Sequence, residues 1–203
     1  MTQPVQFKGS ALAHRLLGLA GWRVLFAGLP GPQGVIVAYP HTSNWDFIVG
    51  ILAKWAIGIP AHFWAKDSLF RIPVFGRWLR WVGGVPIDRR AANGAVGQMV
   101  DNFQRHAREG RLLWLALAPE GTRKRTPGWR SGFYQVALGA QVPVGVVCLD
   151  WGRREVRFLD FITLTGDEAA DYAHLATCFA GVQGYHAKQG SPILPWRPNK
   201  DKT

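Results

Sequence analysis

The chain has 203 residues, of which 48% are hydrophobic and 18% charged, and this composition excludes a disordered protein and leaves room for one main core. The formal net charge of +11 predicts an anionic partner such as nucleic acid, anionic lipid or an acidic carrier. Ten tryptophans favour lipid, because an indole ring beside Lys and Arg suits the headgroup layer of a membrane. Cys148 and Cys178 form no disulfide framework, so we expect reduced thiols.

The N-terminal stretch from Ser10 to Leu29 is apolar, but His14, Arg15 and Arg23 interrupt it. A membrane-spanning helix needs about 20 largely uncharged residues. We therefore expect this stretch to form an amphipathic helix, the N-terminal unit of residues 1–30, which lies on a surface or packs on the domain. No signal peptide is apparent.

Apolar runs and helix-start residues alternate along the rest of the chain, which indicates an α/β layer architecture. The predicted strands are Val35–Tyr39, a short strand within Gly83–Arg90, Leu112–Leu117, Val142–Leu149 and Glu155–Thr165. The predicted helices are Phe47–Ile59, a segment within Lys66–Trp81, Asn93–Gly110, Gly132–Ala140 and Glu168–Phe179. The first of these helices carries a single charge, so we expect it to be buried nearly all round. Residues 197–203 form a polar tail.

The segment His-Thr-Ser-Asn-Trp-Asp, residues 41–46, directly follows the first predicted strand. Residues five apart on one helix diverge by about 140°, so His41 and Asp46 meet only if His41 precedes the helix and Asp46 lies in its first turn. Asp46 would then orient the imidazole and leave its other nitrogen as a general base. The alternative is that Asp46 only stabilises the helix N-terminus while His41 fills a turn.

A second segment, Pro-Glu-Gly-Thr-Arg at residues 119–123, follows the strand Leu112–Leu117. Gly121 allows close approach of a ligand to the backbone, and the guanidinium of Arg123 suits a phosphate monoester. Arg89, at the end of its own short strand, is a second candidate for phosphate contact. The alternative is a salt-bridged turn whose charges face solvent.

Aromatic and basic side chains interleave from Lys66 to Trp81. Residues three apart lie on one stripe of a helix, which pairs Arg77 with Arg80 and Trp78 with Trp81. We expect this stretch to contact an anionic membrane surface, although packing in the core is the alternative. The expected contact residues are Arg71, Arg77, Trp78, Arg80 and Trp81.

Four blocks of this chain resemble, in their order, those of the lysophospholipid acyltransferase family, the glycerolphosphate acyltransferases of the PlsC type. Residues 41–46 resemble its His-x4-Asp block, and residues 84–89 are similar to its glycine-to-arginine block. Residues 119–123 match its most recognisable motif, and residues 142–144 resemble its last block. The ordered set covers residues 35–150 and is far more specific than any single block.

The resemblance implies a single α/β acyltransferase domain over residues 31–196, with a mixed, mostly parallel central sheet flanked by helices and an apolar groove for an acyl chain. It implies transfer of a fatty acyl group from acyl-CoA or an acyl carrier protein to the hydroxyl of a lysophospholipid. The leading acceptor is 1-acyl-glycerol-3-phosphate, which would give phosphatidic acid. No metal or bound cofactor is expected, because the thioester is itself a substrate.

By the same resemblance, His41 would deprotonate the acceptor hydroxyl and Asp46 would orient His41. The residues implied in acceptor binding are Arg89, Glu120, Gly121, Thr122 and Arg123. The family also implies attachment to a membrane, which we expect at the cytoplasmic face of the cell membrane and in a peripheral or monotopic manner.

Other functions remain open. Another lyso-lipid, such as a lyso-aminolipid, would use the same base. A hydrolase with Ser43 as nucleophile lacks a Gly-x-Ser-x-Gly elbow, and a nucleic-acid-binding protein lacks a recognisable motif, so we expect no nucleic-acid partner. A non-catalytic protein that binds anionic membranes is the stronger rival. It predicts that His41→Ala leaves function intact.

Overall fold

The structure is a computed structural model that describes residues 4–87 and 94–197. The helices are α1 Ala11–Leu19, α2 Trp45–Ile57, α3 Asp67–Phe70, α4 Pro73–Trp81, α5 Gly94–Arg108, α6 Gly132–Ala140 and α7 Glu168–Cys178, with a short 3-10 turn at Ala187–Gln189. The strands are β1 Arg23–Leu25, β2 Gln33–Tyr39, β3 Ala61–Lys66, β4 Gly84–Ile87, β5 Leu113–Leu117, β6 Trp129–Arg130, β7 Val144–Asp150, β8 Glu155–Ile162 and β9 Pro195–Trp196.

Seven strands form one sheet in the order β1-β8-β7-β2-β5-β3-β4, and β6 pairs separately with β9. Within the seven-stranded sheet β7 and β8 are antiparallel, and each other neighbouring pair is parallel. The predicted mixed, mostly parallel sheet flanked by helices is therefore confirmed.

The central strands are buried on both faces, as parallel strands covered by helices require. In β2, Val35 and Val37 pack into one core cluster together with Phe103 and Phe133, while Ile36 packs into a second cluster on the opposite face. Every residue of β7 is buried. This double burial explains why both strands are visible in the sequence as short, continuous apolar runs.

A glycine in β2 makes room for a tryptophan of the second cluster. A Cβ on Gly34 would lie 2.3 Å from the ring of Trp114. The fully buried indole of Trp114 also packs edge-on against Phe161, with ring centroids 5.8 Å apart. The small residue on one strand and the large one on its neighbour are therefore complementary.

The predicted N-terminal helix is wrong in its extent. Helix α1 ends at Leu19, and Gly21, at φ 77°, turns the chain into strand β1. Trp22 is buried against Trp151, with ring centroids 4.8 Å apart. Because β1 pairs with β8, the sheet begins before residue 31, the expected start of the domain.

Two further features differ from expectation. Helix α2 is not buried all round, because Trp45 and Ile48 are exposed on its outer side. Strand β3 is absent from the predicted strands, because its short sequence, interrupted by His62, shows no clear alternation of apolar and polar residues. Its hydrogen bonds to β4 and β5 define it as a strand. Among the described residues, no helix combines the length and the apolar character needed to cross a bilayer.

Candidate active site

Both predicted motifs leave the sheet at the same edge. Strand β2 ends at Tyr39 and the neighbouring parallel strand β5 ends at Leu117. The carboxyl ends of parallel strands are where α/β proteins place their sites. The loop of residues 41–46 therefore lies beside the loop of residues 119–123.

His41 precedes α2, and Asp46 lies in its first turn. His41 Nδ1 is 3.3 Å from Asp46 Oδ2, and the same oxygen accepts hydrogen bonds from the backbone N–H groups of Thr42 and Ser43, both at 2.7 Å. Asn44 is the N-cap residue of α2, but its side chain makes no capping hydrogen bond. The loop is instead folded around the carboxylate of Asp46.

The environment of Asp46 favours its charged form. Burial alone raises the pKa of this carboxyl, but hydrogen bonds from His41, Ser43 and Trp151 outweigh burial and hold the pKa below its usual value. The His41 side chain is 22% exposed, whereas that of Asp46 is fully buried. A fixed carboxylate therefore lies behind an imidazole that solvent or a ligand can reach.

Glu120 lies beside the loop of residues 41–46, and its side chain is fully buried. Its Oε2 accepts a hydrogen bond from the backbone N–H of His41 at 2.6 Å, and its Oε1 accepts one from the backbone N–H of Ser191 at 2.8 Å. Burial raises the pKa of Glu120, while these hydrogen bonds oppose the rise. The geometry assigns Glu120 to holding the His41 backbone, a different position from the ligand contact expected for it.

The remaining residues of the second motif follow Glu120 in the same loop. Gly121 has φ 66°, a left-handed conformation that favours glycine. Thr122 is half-buried, and its hydroxyl accepts a hydrogen bond from the backbone N–H of Lys124 at 3.3 Å. Arg123 is exposed. Arg89, the other expected phosphate ligand, lies outside the described residues.

Sequence reasoning missed two residues that complete this arrangement, Trp151 and Ser191. Trp151 Nε1 donates to Asp46 Oδ1 at 2.7 Å. Trp151 directly follows β7, which is parallel to β2, so it emerges at the same sheet edge as His41. Trp151 could have been predicted from the sequence, because it follows the carboxyl end of a third predicted strand and sites of α/β proteins lie at these ends. Ser191 lies in the irregular segment after α7, and no local pattern indicated its position.

A mostly apolar cavity of about 220 Å³ extends beneath α2 from the His41–Asp46 pair. Lys54, in the last turns of the helix, and His62 of β3 add polar groups at its far part. Lys54 Nζ donates to the carbonyl of Val82 at 2.6 Å, and burial lowers the pKa of its ammonium. Burial also lowers the pKa of His62, with Lys54 as the next cause.

The basic and aromatic residues expected at a membrane lie on or beside α3 and α4. Arg71, Arg77 and Arg80 are exposed, and Trp81 is 72% exposed. Trp78 is less exposed than these residues: it is half-buried, because its ring packs against Phe75. The expected stripe is thus present, with Trp78 turned partly toward the protein.

Residues 27–150 match the acyltransferase family. The chain belongs to this family. The match spans both loops of the candidate site and the strands that carry them, so this protein is an acyltransferase. No curated protein sequence matches the acyltransferase at a significant level.

The fold of the acyltransferase is similar to the crystal structure of the 1-acyl-sn-glycerophosphate (LPA) acyltransferase PlsC from Thermotoga maritima. The TM-score is 0.53 at 18% sequence identity, over 80% of this chain and 71% of that one. At this identity the likeness concerns the fold.

Proposed function

We propose that the acyltransferase moves a fatty acyl group from an acyl thioester to the hydroxyl of 1-acyl-glycerol-3-phosphate, giving phosphatidic acid. The observation that carries the proposal is the His41–Asp46 pair at the edge of an apolar cavity and beside the loop of Glu120 and Arg123. The cavity suits an acyl chain, and an arginine suits the phosphate of the acceptor. The activity named for the Thermotoga maritima protein of similar fold supports this choice of acceptor.

In the proposed reaction His41 acts as general base through Nε2, because Nδ1 faces Asp46. The acceptor hydroxyl gives its proton to His41, and its oxygen bonds to the carbonyl carbon of the thioester. The carbon–sulfur bond then breaks, and the thiolate takes the proton from His41. Asp46 stabilises the imidazolium between these two steps. The products are an ester and a free thiol, without an acyl-enzyme, a metal or a bound cofactor.

Both acyl-CoA and an acyl carrier protein are candidate donors. A net charge of +11 suits an acidic carrier and an anionic lipid surface equally. Assays with each thioester decide between them.

The proposal includes peripheral attachment to the cytoplasmic face of the cell membrane. Helix α1 packs on α2, and Trp55 of α2 contacts Trp81 of α4, with ring centroids 5.4 Å apart. The outer sides of these three helices expose apolar side chains, which we call the apolar face: Leu12, Leu16, Leu19, Trp45, Ile48, Ile72, Val74, Phe75 and Trp81. Exposed apolar patches bordered by basic residues are typical of membrane-binding surfaces.

The test is thiol release from a long-chain acyl-CoA or acyl carrier thioester, with and without 1-acyl-glycerol-3-phosphate. We expect acceptor-dependent release by the wild type and a loss of about 10²–10⁴-fold in His41→Ala, the range for a general base. His106→Ala, on α5, is the matched control and should keep full activity.

Four other outcomes would contradict the proposal in different ways. Release without any acceptor would indicate a thioesterase. Release only with a lyso-aminolipid would change the acceptor. Normal activity of His41→Ala would remove the proposed mechanism, and no release with any lyso-lipid would favour a non-catalytic membrane-binding protein.

A further inference from the structure

We propose that Asp160, His174 and Cys178 form a binding site for a zinc ion between β8 and α7. A carboxylate oxygen, an imidazole nitrogen and the thiol sulfur of these residues all lie within 4.8 Å of one another. None of the three belongs to the candidate active site, and the inference is independent of the proposed acyl transfer. It departs from the expectation that the chain has no metal site.

Helix geometry brings two of the ligands together. His174 and Cys178 are four residues apart on α7 and therefore lie on one face of it. Cys178, the last residue of the helix, packs partly against the main core cluster, which fixes its position. The sulfur thus provides an anchored ligand beside an exposed imidazole.

A β-bulge brings the third ligand to the same place. Val147 pairs with Phe158 but Val146 pairs with Asp160, so Leu159 is an extra residue in β8. Regular alternation would place Asp160 on the same face as Phe158. The bulge instead directs it toward α7, where Asp160 Oδ2 lies 3.9 Å from His174 Nε2.

The donor set indicates zinc. Thiolate, imidazole and carboxylate are the groups that bind Zn²⁺ in tetrahedral sites, whereas Mg²⁺ and Ca²⁺ prefer oxygen ligands alone. Bonds of about 2.0–2.3 Å place the donor atoms of such a site roughly 3.5 Å apart. The side chains of His174 and Asp160 are 56% and 53% exposed, so both have room to rotate and close this gap. Water would complete the coordination.

An ion at this position would join the C-terminal end of α7 to β8. The segment that follows α7 reaches the candidate active site. The carbonyl of Gln183 accepts from the backbone N–H of Trp151 at 2.8 Å, and the N–H of His186 donates to Thr42 Oγ1 at 3.1 Å. We therefore assign the site a structural role. It would hold the start of the segment that supports the candidate active site.

The test is titration of the metal-free, reduced protein with Co²⁺, a spectroscopic substitute for Zn²⁺. We expect one equivalent to bind with a thiolate-to-cobalt charge-transfer band that Zn²⁺ removes. Cys178→Ser should abolish the band, and His174→Ala or Asp160→Asn should weaken Co²⁺ affinity by about tenfold or more, since even indirect partners of a metal contribute 10–100-fold. Cys148→Ala and His106→Ala are controls that should retain the band.

A second measurement does not depend on the cysteine variant. Zn²⁺ should raise the thermal midpoint of the wild type and leave that of His174→Ala unchanged, because only a folded-state site gives such stabilisation. The proposal is overturned if stoichiometric Co²⁺ gives no thiolate band. It is also overturned if the band persists in Cys178→Ser, or if Zn²⁺ stabilises His174→Ala as much as the wild type.

Discussion

The carboxylate of Asp46 organises the loop that holds His41. One of its oxygens accepts from the backbone N–H groups of Thr42 and Ser43 and faces the imidazole, and the other accepts from the indole of Trp151. A carboxylate fixed in this way has one position relative to the imidazole. Pre-organisation of this kind is what a general base requires, because reorientation during the reaction would raise the barrier.

Trp151 is therefore expected to act as a positioning residue. Trp151→Phe keeps an aromatic ring, although a smaller one, and removes the 2.7 Å hydrogen bond to Asp46. We expect kcat to fall about tenfold, which corresponds to roughly 1.4 kcal/mol of transition-state stabilisation, with little change in KM. Steady-state kinetics measure both values, and Trp196→Phe serves as the control. A raised KM at unchanged kcat would show that Trp151 shapes substrate binding instead.

Lys54 is expected to limit the length of the acyl chain. Lys54 lines the cavity in the last turns of α2, at the other end of the helix from Asp46. A longer chain that reached it would have to desolvate its ammonium further. Lys54→Met should extend the chain-length preference, and each further methylene buried is worth about 0.8 kcal/mol, roughly fourfold in kcat/KM. A series of saturated acyl donors measures the change, with Lys188→Met as control. An unchanged preference would place the end of the chain elsewhere.

Helix α2 faces the cavity on one side and solvent on the other. Its inner side lines the cavity, while its outer side contributes Trp45 and Ile48 to the apolar face. Helix α4 continues that face, because Leu79 is buried toward the protein while Val74 is exposed. The proposed membrane attachment would therefore place the lipid surface against the same helix that lines the cavity.

Val74→Glu should weaken binding to anionic vesicles. Val74 is 74% exposed in the first turn of α4, so the change leaves the core intact while placing a charge in the apolar face. Loss of one inserted apolar side chain is worth about 1.5–3 kcal/mol, or roughly 10–100-fold in affinity. Vesicle sedimentation measures it, and Gln104→Glu on exposed α5 is the matched control. Equal binding by Val74→Glu, or salt-insensitive binding to neutral vesicles, would contradict the assignment.

For the whole molecule, stability depends on close packing between β2 and β5. Gly34→Ala would place a methyl group 2.3 Å from the rigid, fully buried ring of Trp114. We expect a loss of about 1–3 kcal/mol in the free energy of unfolding, measured by urea denaturation. Gly18→Ala, on α1 with open space around its Cβ position, should instead be neutral or stabilising. Similar stability of both variants would contradict this packing.

Acid stability should depend on Asp46. Because the folded protein holds the pKa of Asp46 below its ordinary value of 3.8, the charged carboxylate stabilises the fold above that pH. Asp46→Asn should therefore cost about 2 kcal/mol at neutral pH, as expected for hydrogen bonds to a charged group. The difference between wild type and variant should decline as the pH falls below 3.8 toward the folded pKa. A difference that stays constant with pH would mean that ionisation of Asp46 does not contribute.

Much of the fold could be predicted, because the central strands and helices each show a characteristic pattern of apolar residues in the sequence. Strands β2 and β7 are continuous apolar runs, and α6 begins and ends where its pattern does. Strands β1 and β3 could not be predicted, since both are short and gain their hydrogen bonds from strands distant in the chain. Their conformation depends on partners that local periodicity does not specify.

The sequence by itself determined the two motif loops and their meeting at one sheet edge, because parallel strands end on the same side. Only the tertiary structure decided what surrounds them. Trp151 is 105 residues from Asp46 and Ser191 is 71 residues from Glu120. The hydrogen bond between Glu120 and the backbone of His41 likewise depends on the pairing of β2 with β5, which brings the two loops together. Spacing reports which residues share a local face, whereas contacts over such separations arise only from the packing of the whole sheet and its helices.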